Sequence, residues 1–69
     1  MKNKPKRYKR NEELLKARKN RKLSQQKVAD ELEITRHYYS QIERGERRPS
    51  LELALKISDF FAISPRGFV

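Results

Sequence analysis

The chain has no cysteine and no tryptophan, and only two glycines and one histidine among its 69 residues. Without cysteine there is neither a disulfide framework nor a thiolate metal site. His37 is the only histidine, and neither cysteines nor a carboxylate cluster accompany it, so the sequence predicts no metal site. We find no nucleophile–base pair and no glycine-rich phosphate loop, and therefore predict no enzyme and no cofactor. No apolar run approaches the ~20 residues that span a bilayer, and the amino terminus lacks the apolar segment of a signal peptide. We therefore expect a cytoplasmic protein that contacts no membrane.

Acidic residues are missing from the first ten positions, which hold six of the 18 basic residues. The formal net charge of +9 thus divides into +6 there and +3 over the remaining positions. We interpret residues 1–10 as a disordered basic arm and residues 11–69 as one small domain. An arm of this kind can neutralise phosphates of a nucleic acid, although a merely solubilising terminus is the alternative. The candidate arm contacts are Lys6, Arg7, Lys9 and Arg10.

Helical spacing of apolar residues recurs along the chain, and no stretch alternates with the period of two that a strand requires. The fold class is therefore predicted as all-α, a compact domain of four to five helices. Hydroxyl or amide residues stand at the predicted N-caps: Asn11, Ser24, Thr35 and Ser50. The predicted second, third and fourth helices span residues 25–32, 36–44 and 51–61, and Gly45 ends the third. Ser64-Pro65 predicts the start of a short last turn.

The stretch from Leu23 to Pro49 predicts two short helices joined by a tight turn. Tyr39 and Ile42 repeat at the spacing of a buried face in the second of these helices, with the Tyr39 hydroxyl needing a partner. If both point inward, a polar and basic set points outward: Arg36, His37, Ser40, Gln41 and Arg44. Such a set suits the base edges in a DNA major groove, which a single helix can enter.

This stretch resembles the helix-turn-helix of the Cro and lambda-repressor-type (XRE) DNA-binding family. The likeness covers roughly Leu14 to Phe68. It is carried by Ser24-Gln25, Val28-Ala29, Thr35, Ser40, Ile42-Glu43-Arg44-Gly45 and Pro49-Ser50-Leu51. The sequence departs from the family at Lys22 and Glu33, where glycine is frequent. Both positions are expected to need a left-handed backbone, at a cost of roughly 1 kcal/mol for a residue other than glycine.

The predicted third helix and its surroundings supply the candidate contacts with DNA. Base contacts are assigned to Arg36, His37 and Gln41. The alternatives are a phosphate clamp for Arg36, simple solvent exposure for His37 and a hydrogen bond within its own helix for Gln41. Phosphate contacts are assigned to Ser24, Gln25, Gln26, Tyr38, Ser40, Arg44, Arg47 and Arg48. Simple capping by Ser24 and simple solvation of the arginines are the alternatives. The resemblance further implies an ion pair between Arg18 and Glu43, with solvation of both side chains as the alternative.

The function expected from these features is sequence-specific binding of double-stranded DNA by a transcriptional regulator. The resemblance implies a homodimeric repressor, or a controller of a phage or mobile element, on an inverted-repeat operator. No small-molecule ligand is expected. An antitoxin that also binds DNA and a non-specific nucleic-acid-binding protein are the rival hypotheses. A second apolar stripe on the predicted fourth helix, joined by the carboxyl terminus, suggests a dimer interface made of Leu53, Phe60, Phe68 and Val69. The alternative is that these side chains cover the exposed edge of a small core.

Overall fold

The computed structural model describes residues 11–64, which form four helices and no strand. These are α1 (Glu12–Asn20), α2 (Gln25–Leu32), α3 (Arg36–Glu43) and α4 (Leu51–Phe61). The all-α prediction is confirmed, and α2 and α4 have the predicted bounds. Helix α3 ends one residue before the predicted position, because Arg44 is its C-cap. The basic arm, the last turn at Pro65, and Phe68 with Val69 lie outside the described residues.

Three of the four predicted N-caps are present. The hydroxyls of Ser24, Thr35 and Ser50 accept hydrogen bonds from the backbone N–H three residues later, at 3.0, 3.0 and 3.1 Å. Each bond satisfies an N–H group that the helix itself leaves without a carbonyl. These caps explain why the bounds of α2 and α4 could be predicted.

Asn11 stands at the predicted N-cap position of α1, but its side chain does not make the capping hydrogen bond. Its Nδ2 donates instead to the Ile42 carbonyl at 2.8 Å, and its backbone N–H donates to the Glu43 carbonyl at 3.2 Å. Both acceptors lie in the last turn of α3, where carbonyls have no helical N–H left to accept from. Asn11 therefore ties the start of α1 to the end of α3.

A residue with left-handed backbone follows each of the four helices. Lys22 and Glu33 adopt φ of 58° and 61°, as predicted for the two positions where the family often has glycine. Gly45 adopts φ of 77° directly after the α3 C-cap, so its predicted role in ending that helix is confirmed. Ala62, at φ 56°, ends α4 in the same conformation, which the sequence pattern does not predict.

One hydrophobic core joins all four helices. The prediction that Leu53 belongs to a second, outward apolar stripe of α4 is wrong. Leu53 is only 6% exposed and packs in the core with Ala54, Ile57 and Phe61. Adjacent residues on a helix lie about 100° apart, so an apolar face this wide takes in both Leu53 and Ala54. Leu53 is therefore a core residue and is removed from the proposed dimer interface. The buried hydrophobic residues are Leu14, Val28, Ala29, Leu32, Tyr39, Ile42, Leu53, Ala54, Ile57 and Phe61.

The carboxyl end of α4 is fastened to the end of α1. Phe60 is half-buried and meets Phe61 edge to face, with ring centroids 4.9 Å apart. The Arg21 guanidinium lies 5.7 and 5.4 Å from these two ring centroids, and its Nη1 donates to the Phe60 carbonyl at 2.7 Å.

Among the helices of residues 11–64, none is both long and apolar enough to traverse a bilayer.

Candidate nucleic-acid interface

Helix α3 presents two chemically different faces. Tyr39 and Ile42 are fully buried and Glu43 is 4% exposed, so the predicted inward face is the observed one. On the other side Arg36, His37 and Arg44 are exposed, while Ser40 and Gln41 are half-buried. Helical periodicity alone produces this division, because residues three and four apart share a face.

Glu43, at the end of α3, accepts hydrogen bonds from three side chains. Arg18 of α1 donates from Nε to Oε2 at 2.7 Å and from Nη2 to Oε1 at 3.0 Å, which makes the pair bidentate. Gln25 of α2 donates to Oε1 at 2.9 Å, and the Tyr39 hydroxyl donates to Oε2 at 2.7 Å. The structure thus contains the Arg18–Glu43 pair and gives the Tyr39 hydroxyl its partner. We call these four residues the Glu43 node.

The node is shielded from water, with the Arg18 and Glu43 side chains 13% and 5% exposed. Burial by itself would raise the pKa of Glu43. The hydrogen bonds from Arg18, Tyr39 and Gln25 outweigh that effect, so the pKa lies below its ordinary value of 4.5. The hydrogen bond to Glu43 raises the pKa of Arg18 in turn. Burial, and after it the hydrogen bond to the carboxylate, raises the pKa of Tyr39 above its ordinary value of 10.0.

Burial of Glu43 has an electrostatic consequence for the outer surface of α3. Glu43 is the single acidic residue of this helix, and its charge is compensated by Arg18. The exposed side chains of α3 therefore present basic and neutral polar groups without a free carboxylate. That is the surface chemistry a polyanion requires.

The amino end of α2 differs in part from the prediction. The sequence assigns the Gln25 side chain to phosphate, but its amide donates into the Glu43 node. The Gln26 side chain is exposed and donates to Asp30 at 2.8 Å. Ser24 caps the helix by accepting a hydrogen bond from the Lys27 N–H, and the other N–H groups of the first turn have no helical carbonyl partners, as at any helix start. An anion at this point would meet the backbone and Ser24 rather than the Gln25 amide.

The loop after α3 folds back along that helix. Following Gly45, the backbone N–H groups of Glu46 and Arg47 both donate to the Gln41 carbonyl, at 2.8 and 3.3 Å. This reversal brings the Arg47 guanidinium to 5.0 Å from the centroid of the Tyr38 ring. Arg44 instead pairs with Glu46 at 3.2 Å, and Arg48 is exposed. The structure thus brings together α3 and its basic loop, as a DNA-contacting surface needs.

Three contacts in this region are absent from the sequence-based expectations: Gln25 with Glu43, Arg44 with Glu46, and Arg47 with Tyr38. Only the second carries a local signal, since opposite charges stand two residues apart in the sequence. The other two join residues that the chain separates by 18 and nine positions, and the path between them is set by the fold.

These features define the class of protein. Two short helices joined by a tight left-handed turn, the second with a buried apolar face and an exposed basic one, form a DNA-binding helix-turn-helix domain. The helix-turn-helix family model matches residues 14–68. The chain belongs to the helix-turn-helix family, of the Cro and lambda-repressor (XRE) type.

Two known proteins are similar to this chain. An uncharacterised HTH-type transcriptional regulator, YqaE of Bacillus subtilis (strain 168), is 43% identical over 53 residues, which are 77% of this chain. The match covers 46% of YqaE, so the chain spans about half the length of that relative. The crystal structure of the restriction-modification controller protein C.AhdI from Aeromonas hydrophila superposes with a TM-score of 0.72 at 33% identity. That likeness covers 83% of this chain and 86% of the controller protein.

Proposed function

We propose that the protein is a sequence-specific transcriptional regulator that binds an inverted-repeat operator as a homodimer in the cytoplasm. The observation that carries the proposal is the outer face of α3, where Arg36 and His37 are exposed beside the half-buried Gln41. The Cα positions of this face are fixed from behind by the core and the Glu43 node. A rigid helix with free polar side chains is what reading of base edges requires.

Each side chain receives a proposed role from its position. Arg36 opens α3, so its guanidinium can bond guanine through O6 and N7, while His37 and Gln41 reach neighbouring bases. Tyr38, Ser40 and the arginines of the following loop lie at the edge of this face and serve the phosphates. Ser24 and the first N–H groups of α2 serve a further phosphate. Of the Gln25 and Gln26 side chains, only Gln26 is exposed enough to join them.

The geometry of DNA supports the proposed dimer. One α3 covers a few base pairs, and two copies on half-sites about 34–36 Å apart multiply the selectivity. With Leu53 in the core, Phe60 is the described residue that stays in the proposed interface, together with Phe68 and Val69. Both similar proteins are named for regulation, which favours a regulator over an antitoxin.

The experiment is selection of bound sequences from a random duplex pool at ~150 mM salt, where non-specific binding is suppressed. We expect a palindromic motif with half-sites one helical turn apart. Sedimentation velocity on the selected duplex and on a single half-site duplex then counts the bound copies. We expect two copies on the former and weak binding of one copy on the latter.

Two results would contradict the proposal. Binding without enrichment of any motif, weakening steeply with salt, would identify a non-specific nucleic-acid binder. A motif without two-fold symmetry, bound by a single copy, would overturn the dimer but leave sequence-specific recognition in place.

A further inference from the structure

Tyr38 and Arg47 form the one cation–π contact found between α3 and the loop after it, among residues 11–64. The Arg47 guanidinium carbon lies 5.0 Å from the ring centroid, within the ~6 Å over which such contacts are attractive. The ring itself is fixed: it is half-buried, packs against the core, and lines a groove together with Ile34 and Leu53. The stack therefore sits on a platform that the core holds in place.

Arg47 is restrained at its other end as well. Its backbone N–H donates to the Gln41 carbonyl at 3.3 Å, so the main chain is attached to α3. The side chain runs back toward the first turns of that helix, where Tyr38 lies two residues after Arg36. An arginine normally loses considerable rotamer freedom when it binds a phosphate. In Arg47 part of that loss has already occurred in the folded protein.

Arg44 offers a contrast within the same segment. Its guanidinium pairs with Glu46 at 3.2 Å, so a phosphate must compete with a carboxylate for it. Arg47 is exposed and has a neutral aromatic ring beside it, which leaves its positive charge uncompensated by that neighbour. The two arginines are therefore unequal as ligands for an anion.

We propose that Tyr38 is a positioning residue, whose ring holds the Arg47 guanidinium ready for a DNA phosphate beside the amino end of α3. The inference deepens the proposed function and rests on it. It assigns the contribution of Tyr38 to its ring and not to a hydroxyl–phosphate hydrogen bond. It also ranks Arg47 above Arg44 as a phosphate ligand.

The test measures dissociation constants of Tyr38→Phe, Tyr38→Leu, Arg47→Ala and the Tyr38→Leu/Arg47→Ala double variant on the selected operator and on an unrelated duplex. Tyr38→Phe keeps the ring, so its affinity should stay within about twofold of the wild type. Tyr38→Leu should weaken binding to both duplexes by about two- to fivefold, the worth of an exposed cation–π contact. In the Arg47→Ala background the same change should have no further effect. Arg44→Ala should weaken binding less than Arg47→Ala does.

Tyr38→Leu also removes packing, so folding is checked by thermal unfolding, and a measurement on the wild type stands beside it. In the free protein the Arg47 side-chain protons should show an upfield NMR ring-current shift that Tyr38→Phe retains. Equal losses in Tyr38→Phe and Tyr38→Leu, additive effects in the double variant, or the absence of a ring-current shift would each overturn the inference alone. Failure of the wild type to bind any duplex would overturn the proposed function, and the inference with it.

Discussion

At the scale of single residues, Glu43 is a charged side chain that links three helices and is buried away from the exposed face of α3. Its two oxygens accept four hydrogen bonds from Arg18, Gln25 and Tyr39, so helices α1, α2 and α3 meet at one carboxylate. A buried ion pair stabilises little beyond its own desolvation cost, but removal of one partner leaves an unpaired buried charge. The contribution of the Glu43 node to stability is therefore best measured by substituting one of its residues.

Glu43→Gln is expected to lower the free energy of unfolding by roughly 3 kcal/mol, because it leaves the Arg18 guanidinium without its anion. Urea denaturation at neutral pH measures this loss. The matched control is Glu31→Gln, in an exposed pair with Lys27 at 3.2 Å, where the Lys27 and Glu31 side chains are 58% and 46% exposed. That change should cost less than about 1 kcal/mol. Comparable losses in the two variants would mean that Glu43 contributes no more to stability than a carboxylate in an exposed ion pair.

The lowered pKa of Glu43 also predicts a dependence of stability on pH. Because the folded pKa is below the ordinary 4.5, the stabilisation is complete above that value and is lost as pH falls through the folded pKa. Urea midpoints measured from pH 7 to pH 3 should therefore fall in the acidic part of the range. Glu43→Gln should show a shallower fall, and parallel curves for the two proteins would contradict the assignment.

Arg36→Ala is expected to cost ~1–3 kcal/mol of binding free energy on the preferred operator and to relax selection at one base position per half-site. Competition titrations against operators changed at each position measure both effects. Lys56→Ala, which removes one exposed charge from α4, is the charge-matched control. If Arg36→Ala weakens all sequences equally, Arg36 is a phosphate clamp.

At the scale of helices and turns, the left-handed residues Lys22, Glu33 and Ala62 show that the fold tolerates local strain. Each sits where glycine would be free of the clash between Cβ and the carbonyl. The capping hydroxyls of Ser24, Thr35 and Ser50 work in the opposite direction by stabilising the starts of the three helices that follow. Local stability is thus uneven along the chain.

Glu33→Gly is expected to stabilise the protein by roughly 0.5–1 kcal/mol, because relief of left-handed strain exceeds the entropy that glycine adds to the unfolded chain. Asp59→Gly removes the same charge within helix α4 and should destabilise by a similar amount. Thermal unfolding of both variants checks the opposite signs. A loss of stability in Glu33→Gly would show that the Glu33 side chain makes a favourable interaction that outweighs its strain.

The predictable part of the structure is the local part. Serine and threonine caps, apolar spacing and Gly45 predict α2, α3 and α4 to within one residue, since each signal acts over a few positions. Asn11 misleads because its acceptor, the Ile42 carbonyl, is 31 residues away. Leu53 misleads because the width of a buried face depends on what packs against it. The Tyr38–Arg47 stack depends on the path of the loop, which no spacing rule describes.

At the scale of the whole molecule, two basic regions are the proposed contributors to DNA binding: the six basic residues in positions 1–10 and the surface around α3. Attraction to phosphate is long-ranged at low salt and is screened within about 10 Å at 0.1 M. The two regions therefore add to one electrostatic field in dilute buffer and act more separately at physiological salt. The structure gives the second region its shape, and the sequence alone describes the first.

Deletion of residues 1–9 is expected to leave the thermal midpoint nearly unchanged, because so charged a segment has little apolar surface to bury. It should weaken DNA binding and reduce the slope of affinity against salt by up to ~1 for each phosphate that the arm no longer neutralises. An arm of equal length with glutamine at its lysines and arginines separates charge from length. Unaltered affinity and slope would identify the first nine residues as bystanders.

Helix α3 keeps its buried and exposed residues apart, and this separation bears on how such a protein can evolve. Packing in the folded protein constrains the buried Tyr39, Ile42 and Glu43. The exposed Arg36 and His37 are constrained only by the molecule that α3 binds. Single codon changes at the outer positions leave the inherited framework intact. A gene duplicate can then acquire a different target sequence through few steps, each of which still yields a folded protein.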